Sequence, residues 1–107
     1  MKETRRYPAT VTKVYDGDTL WVNADLGFGI TLLIDCRMAR INAPEMNTPK
    51  GPAARDHLKA LTTGDVDVLV YGQEKWRRWL VEVEVRATGE NINDRMVTDG
   101  FAVPYMT

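Results

Sequence analysis

The first part of the chain alternates between short apolar runs and turn-forming residues. Residues 10–15 and residues 19–23 are rich in β-branched and aromatic side chains, and they flank Asp-Gly-Asp at residues 16–18. This pattern predicts two strands that meet at a sharp bend.

A third strand is predicted over residues 30–37, after a loop that two glycines bracket at residues 27–29. Three apolar residues alternate along this strand and are expected on one face: Ile30, Leu32 and Ile34. We expect the chain to continue to residue 41 through a bulge or bend.

Helical spacing occurs in two places in the second half of the chain. Pro52 suits the first position of a helix and Gly64 suits its end. The apolar stripe between them consists of Ala54, Leu58 and Leu61. A second, short helix is predicted over residues 92–99, closed by Gly100. Two of its apolar side chains are expected to face the core, those of Met96 and Val97.

Two further strands lie between these helices. Residues 66–71 are largely apolar, and in residues 80–85 three valines alternate with Glu82 and Glu84, which places the glutamates on the face opposite the valines. The order is three strands, a helix, two strands and a short helix. It predicts a mainly β fold with helices: a five-stranded OB barrel with one helix between strands 3 and 4 and a short helix after strand 5.

Length and composition predict one soluble domain over residues 1–107. Of the 107 residues, 44% are hydrophobic and 27% are charged, and two separate cores would be too small to be stable. No apolar run approaches the ~18 residues of a membrane span, and residues 1–8 do not open a signal peptide. We therefore expect no membrane partner; the sequence leaves the compartment open, with the cytoplasm as the default. The single Cys36 is expected to be a buried, inert thiol.

The formal net charge of −1 bears on the class of function. A module that holds nucleic acid tightly usually carries a strong basic excess, which is missing here. An enzyme needs only a local cationic site and must release its product, so the charge does not argue against one.

Asp-Gly-Asp-Thr at residues 16–19 is the first candidate for chemistry. An ordinary turn is the alternative, because Asp-Gly is a common turn pair. Asp18, however, precedes Leu20 by two residues and Val22 by four, so strand periodicity places its carboxylate on the core-facing side at the mouth of the barrel. A carboxylate there needs a partner, and a hard cation is an obvious one.

Two other segments carry suitable groups. Residues 37–45 bring an arginine, an amide and a carboxylate to one strand end and the loop after it, although each is an ordinary surface residue when taken alone. Residues 75–79 (Lys-Trp-Arg-Arg-Trp) interleave basic and aromatic side chains, which suits a phosphate backbone with stacked bases. A solvated hairpin loop whose tryptophans help to close the barrel is an equally good interpretation.

Four motifs, in this order, resemble the staphylococcal nuclease (thermonuclease) family. They are Asp-Gly-Asp-Thr at residues 16–19, Arg37 followed by Asn-Ala-Pro-Glu at residues 42–45, Gly-Pro-Ala at residues 51–53, and Arg-Trp-Leu at residues 78–80. The resemblance runs from about Ala9 to Val103. It implies a calcium-dependent nuclease that hydrolyses phosphodiester bonds of DNA and also RNA, with little base specificity and products that end in a 3′-phosphate.

The resemblance also implies roles for individual residues. The implied metal site holds one calcium ion, or another divalent metal, on Asp18, Asn42 and the backbone carbonyl of Ala43. Asp16, in the same turn as Asp18, supports these ligands without binding the metal directly. The implied catalytic residues are Arg37 and Arg78, which grip the phosphate, and Glu45, the general base. The expected substrate-binding residues are Lys75, Trp76 and Arg77.

The sequence departs from the family prototype in two segments of this site. Asn42 stands where the prototype has a second metal-binding aspartate. An amide oxygen still ligates calcium but carries no charge, so we expect weaker metal binding or a different preferred ion. In the loop before Arg78, tryptophan and arginine replace tyrosine and glycine, which is expected to alter how a terminal base stacks.

The prototype continues into another helix beyond the position of Thr107. A partner subunit over the surface left open is one expectation, and it makes a homo-oligomer through the C-terminal side a candidate. Apolar residues available for that patch or for the core are Met38, Met96, Phe101, Tyr105 and Met106. His57 is expected at the helix surface or edge, without a catalytic partner.

Two other functions stay open. The first is a catalytically weak or inactive nuclease-like OB module that binds nucleic acid. Asn42 favours it. The presence of Arg37, Glu45 and Arg78 together disfavours it, because a carboxylate near phosphate would weaken simple binding. The second is a protein-interaction module with a decayed site, which the near-neutral charge permits.

Overall fold

The computed structural model of the chain describes residues 5–106, which form seven strands and two helices. The elements are, in order, β1 (Arg5–Asp16), β2 (Thr19–Gly27), β3 (Ile30–Met38), β4 (Ile41–Asn42), α1 (Gly51–Leu61), β5 (Val66–Gln73), β6 (Trp79–Val85), α2 (Ile92–Thr98) and β7 (Val103–Pro104). Five strands close a barrel in the order β1-β2-β3-β6-β5, while β4 and β7 pair separately. The predicted mainly β barrel, with a helix between its third and fourth strands, is confirmed.

Strand β1 is long enough to pair with two neighbouring strands. Its second half pairs antiparallel with β2, and its first half pairs antiparallel with β5. A short parallel contact between β3 and β6 closes the barrel, with Cys36 opposite Trp79 and Arg37 opposite Leu80. This contact places the end of β3 beside the start of β6, although 40 residues of chain separate Met38 from Trp79.

The core fills the barrel and the space beneath the two helices. Its fully buried residues include Leu20, Val22, Cys36, Met38, Val68, Val81 and Val83 from the barrel, Ala54 and Leu58 from α1, and Ile92 and Met96 from α2. The helical stripe in α1 is as predicted, with Leu61 partly buried against the same cluster. Burial raises the pKa of the Cys36 thiol to about 12, so this side chain is a neutral core residue at physiological pH, as expected.

Strand β3 departs from its predicted burial in its first half. Ile34 and Cys36 are buried, whereas Ile30 and Leu32 are 55% and 51% exposed. The alternation is right, but β6 pairs with β3 only from Cys36 onward. Before that residue the strand runs beyond the barrel, and no other strand of the described residues covers it on that side.

Glu82 in strand β6 is buried, which strand alternation did not predict. Val81 and Val83 face the core, as expected. On the other face, Glu82 accepts hydrogen bonds from Arg40, Tyr71 and Asn91. These polar partners cover the carboxylate, so it is buried without lying in the apolar core.

His57 lies at the edge of helix α1, as expected, and contacts the segment that follows helix α2. The His57 ring is partly buried, stacks on Phe101 with centroids 4.1 Å apart, and lies with Nε2 2.7 Å from the Asp99 carboxylate. Asp99 is the residue that follows α2. His57 therefore links the helices.

Burial divides the apolar residues considered for a C-terminal patch. Met38 and Met96 are fully buried, and Phe101 is partly buried, whereas Tyr105 and Met106 are exposed. Only the last two are available at the surface. Neither helix within residues 5–106 has the length and apolar character to cross a membrane.

Candidate active site

The turn between β1 and β2 fixes the first acidic residues of the site. The Asp16 carboxylate accepts a hydrogen bond of 3.0 Å from the backbone N–H of Asp18, which closes the turn on itself. A Cβ at Gly17 would lie 2.6 Å from the Cβ of Ala43 and 2.9 Å from that of Ala54. Glycine is required here because the turn presses directly against the start of the β4–α1 loop and against helix α1.

Asp18 lies where strand periodicity predicts, buried at the mouth of the barrel with 6% of its surface exposed. Its Oδ1 accepts a hydrogen bond of 3.0 Å from the Thr19 hydroxyl, and its Oδ2 accepts one of 2.8 Å from the Ala43 backbone N–H. Burial, followed by the adjacent Asp18 carboxylate, raises the pKa of Asp16 to about 6. Two acids thus share one desolvated turn.

Arg37 lies beside Asp18 near the end of β3. Its Nη1 is 3.5 Å from Oδ2 of Asp18, and its Nη2 is 3.5 Å from Oδ1 of Asn42. The same two nitrogens donate hydrogen bonds of 2.7 Å and 2.9 Å to the backbone carbonyls of Met38 and Ile41. The carbonyls hold the guanidinium in one orientation between the acidic turn and the amide side chain.

Arg78 approaches the same turn from the loop before β6. Oε1 of Glu74 accepts hydrogen bonds from the Arg78 backbone N–H at 3.0 Å and from its Nε at 3.1 Å. Nη1 of Arg78 is 3.5 Å from the Thr19 hydroxyl oxygen. Because Thr19 donates to Asp18, a continuous series of polar contacts joins the two arginines through the β1–β2 turn.

Asp35 adds to this surface a carboxylate whose Oδ1 has no hydrogen-bond partner among residues 5–106. It lies two residues before Arg37 on β3, and this oxygen is buried. Burial raises the pKa of Asp35, and the Arg78 charge partly opposes that shift. Asp35 therefore influences the charge around Arg78 without being directly paired with it.

Glu45 lies in the loop that follows β4, with its carboxylate exposed to solvent. Within residues 5–106 this carboxylate has no hydrogen bond or ion pair, in contrast to Asp18. The backbone is nevertheless fixed, because the Glu45 carbonyl accepts hydrogen bonds from the backbone and the hydroxyl of Thr48. A Cβ at Gly51 would overlap that carbonyl, so helix α1 begins on a residue that lets the loop pass closely.

The basic and aromatic run before β6 divides into two parts. Trp79 packs against the core, as the hairpin interpretation requires. Trp76 is 68% exposed, with the Lys75 ammonium 5.3 Å from its ring centroid. Arg77 has a positive φ of 70° and an exposed side chain. Lys75, Trp76 and Arg77 therefore lie beside the Arg78 side of the site, facing solvent.

Three residues of this surface had no role assigned from the sequence. Thr19 stood in the first motif and links Asp18 to Arg78. Asp35 shares the outer face of β3 with Arg37, and two-residue spacing was a usable signal for it. Glu74 had no such signal, because its contact with Arg78 depends on the geometry of the loop.

The oxygen atoms around Asp18 are of the chemical type that a hard cation prefers, namely carboxylate, amide and carbonyl oxygens. Of the three predicted ligands, only Asp18 carries a full charge, and the Arg37 cation is 3.5 Å from it. Residues 5–106 contain no group of three or more Asp, Glu, His or Cys residues able to hold a metal ion. The donor set around Asp18 is therefore of the right chemical kind for a hard cation but carries little negative charge.

Comparison with known proteins identifies the family. No curated protein was found to match the chain. The family model described as staphylococcal nuclease homologue matches residues 35–107, a range that includes both arginines, Asn42, Ala43 and Glu45, while the acidic turn at residues 16–19 precedes it. Since this match covers most of the chain, the protein belongs to the staphylococcal nuclease homologue family.

Proposed function

We propose that this protein is a metal-assisted nuclease that hydrolyses the phosphodiester bonds of DNA, and also of RNA, with little base specificity and with 3′-phosphate products. The observation that carries the proposal is the contact series from Asn42 through Arg37, Asp18 and Thr19 to Arg78. It gathers two arginines from distant parts of the chain around one buried carboxylate. Family membership supports a nuclease-like activity in general.

The two arginines are proposed to bind the scissile phosphate. A guanidinium presents a planar fork of N–H groups that matches two phosphate oxygens, which lysine cannot copy. Arg37 is oriented by two backbone carbonyls and Arg78 by Glu74, so little side-chain freedom is lost on binding. Both cations would stabilise the negative charge that increases as phosphorus becomes five-coordinate.

Glu45 is proposed as the general base. Its carboxylate faces solvent and has no competing partner in residues 5–106, so it is free to accept a proton from an attacking water. The loop backbone that carries it is fixed by Thr48 and by the close approach of Gly51. A solvent-facing carboxylate on a fixed loop suits a group that must first bind a water and then receive its proton.

Calcium is the proposed metal, held by Asp18, the Asn42 side chain and the Ala43 carbonyl, with Asp16 supporting Asp18. When bound there, it would supply positive charge to the phosphate and a site that orients water. The uncharged Asn42 leaves the protein ligands with a single full negative charge. The proposal therefore includes modest calcium affinity in the absence of substrate.

The test is cleavage of single-stranded DNA and of RNA by the purified protein in calcium, in magnesium and in EDTA. Glu45→Gln is the informative variant, and Glu90→Gln, at an exposed position of the loop after β6 where the carboxylate pairs with Arg95, is its control. We expect cleavage that requires a divalent metal, persists in Glu90→Gln and falls by at least ~100-fold in Glu45→Gln. Cleavage that persists in EDTA, or that is equal in both variants, would contradict the mechanism.

A nucleic-acid-binding module without activity is the second candidate. Asn42 and the lack of an acidic metal-binding group within residues 5–106 favour it. Folded native protein that shifts single-stranded DNA on a gel, yet leaves it intact in every metal, would establish this function in place of the nuclease.

A further inference from the structure

The hairpin tip, residues 26–33 at the junction of β2 and β3, carries a concentration of exposed apolar side chains. Its exposed members are Leu26, Phe28, Ile30, Leu32 and Leu33. Phe28 is fully solvent-exposed and has a positive φ of 56° at the turn. Single exposed apolar residues are ordinary, but a contiguous group of this size marks an interaction surface.

The same segment has an unpaired strand edge. Residues 30–35 of β3 pair with β2 on one side, and pairing with β6 on the other side begins only at Cys36. No strand among the described residues lies against this part of β3. Residues 26–34 contain no charged side chain, so the edge lacks the charges by which proteins usually prevent pairing with another chain.

An apolar cleft lies next to this edge. It has a volume of about 210 Å³, and Leu32, Ile34, Val70 and Trp79 are among the side chains that line it. It joins the open half of β3 to the barrel strands β5 and β6. The hairpin tip therefore has a projecting aromatic ring, that of Phe28, and lies next to an apolar cleft that an aromatic ring could fill.

We propose that this surface binds a second copy of the same chain, by antiparallel pairing of β3 with β3 around a two-fold axis near Leu32. A two-fold interface must be self-complementary, and two uncharged apolar edges meet this condition without bringing like charges together. Antiparallel pairing centred on Leu32 sets Ile30 of one copy opposite Ile34 of the other. It ends before Cys36, whose edge is already paired with Trp79. Phe28 of each copy then lies near Trp79 and the cleft of its partner.

The available area approaches that of a standard protein–protein interface. Five such side chains expose on the order of 500 Å². The strand edge and the cleft lining extend this toward the ~800 Å² that each partner buries in a standard interface. Pairing would also satisfy backbone groups of β3 that the barrel leaves unpaired.

Charge argues against a lipid surface as the occupant. Residues 14–36 contain no lysine or arginine, whereas they contain Asp16, Asp18, Asp25 and Asp35. Apolar segments that bind anionic membranes are normally flanked by basic residues. A second copy, whose matching edge is uncharged, fits the hairpin tip better.

The test is sedimentation velocity of the full chain as a function of protein concentration, up to about 1 mM, where even weak association is detected. We expect a species of twice the 12.1 kDa monomer mass. Leu32→Lys should raise the dimer dissociation constant by at least ~100-fold, and Phe28→Asn by at least ~10-fold. Asparagine tolerates the positive φ at position 28, so this second variant tests the surface without endangering the fold. Met106→Lys is the control and should dimerise as the native chain does, because Met106 is exposed and follows Tyr105, which hydrogen-bonds to Arg40 beyond the opposite end of β3.

Three results would overturn the proposal. The first is a native protein that stays monomeric at the highest concentration. The second is a dimer that Met106→Lys dissociates while Leu32→Lys and Phe28→Asn, with unchanged circular dichroism, do not, since this would assign the interface to the C-terminal residues. The third is a monomer that sediments with vesicles of an anionic lipid and loses this binding in Phe28→Asn.

Discussion

The backbone N–H of Ala43 donates a hydrogen bond of 2.8 Å to Oδ2 of Asp18, and this contact joins the β1–β2 turn to the loop after β4. The carboxylate is almost fully buried. The bond therefore fixes one proposed metal ligand against the backbone that supplies another. It gives Asp18 a structural role beside its proposed role as a metal ligand, and the two roles are separable by substitution.

Asp18→Asn and Asp18→Ala are expected to separate these roles. Asparagine keeps an oxygen that accepts from Ala43, whereas alanine leaves that buried N–H unpaired at a cost of about 1–3 kcal/mol. Both changes remove the charge, so both should lower metal-dependent cleavage by at least ~100-fold. Urea unfolding and a cleavage assay measure the two effects. Full activity in Asp18→Asn would show that the carboxylate charge is not needed.

Gly17→Ala is expected to destabilise the protein by about 1–3 kcal/mol, because the added Cβ overlaps Ala43 and Ala54. Gly64→Ala is the matched control, since nothing lies within 4 Å of a Cβ there. It should change the free energy of unfolding by no more than ~0.5 kcal/mol. Equal effects of the two substitutions in urea unfolding would mean that the turn does not press against helix α1 as described.

Asn42→Asp is expected to bind calcium at least ~10-fold more tightly than the native chain, a difference of about 1.4 kcal/mol. The physical reason is a second charged ligand, which lies on the same Arg37 guanidinium as the Asp18 carboxylate. Asn47→Asp, an exposed asparagine in the following loop, controls for the change in net charge. Calcium titration followed by calorimetry measures both. Identical affinity in the native chain and Asn42→Asp would remove residue 42 from the metal site.

Arg78→Lys is expected to lower cleavage by about 100-fold with the fold intact, because lysine keeps the charge and loses the fork. Arg86→Lys, at an exposed arginine that pairs with Asp67, is the control and should remain near native activity. The rates are compared at saturating metal. A native rate in Arg78→Lys would show that Arg78 contributes charge alone, or nothing.

Glu82 is expected to make stability depend on acid pH. Desolvation by itself raises a carboxyl pKa, but hydrogen bonds from Arg40, Tyr71 and Asn91 outweigh it and lower the pKa of Glu82 below its ordinary value. A group with a lowered folded-state pKa contributes stability above its unfolded pKa, and this contribution is lost as the pH falls through the folded one.

The measurement is urea unfolding of the native chain and of Glu82→Gln between pH 7 and pH 3. At pH 7 the native chain should be more stable by about 2 kcal/mol, with a difference that shrinks toward acid pH. Glu84→Gln, on the same strand, is the comparison. A difference that stays constant with pH would show that the Glu82 charge is not the cause.

Periodicity predicted the five barrel strands and the two helices because it reports which face of a strand or helix is apolar. The valines of β6 and the stripe of α1 fall where their spacing places them, and so does Asp18 at the barrel mouth. Spacing also located the bend between β1 and β2, since Asp-Gly-Asp offers the chain few other conformations. These features depend only on residues close together in the chain, so they are readable from a single sequence.

The tertiary structure decided what depends on pairing between distant segments. The parallel contact of β3 with β6 brings Arg78 to Thr19 and leaves the first half of β3 uncovered. The alternation of β6 predicts that Glu82 is exposed, yet Arg40, Tyr71 and Asn91 cover it. The sequence by itself determined the five barrel strands, the two helices, their apolar faces and the motifs of the family, but not the short strands β4 and β7. Only the folded chain decided which polar groups meet, because these contacts depend on how strands far apart in the sequence close the barrel, which no local pattern encodes.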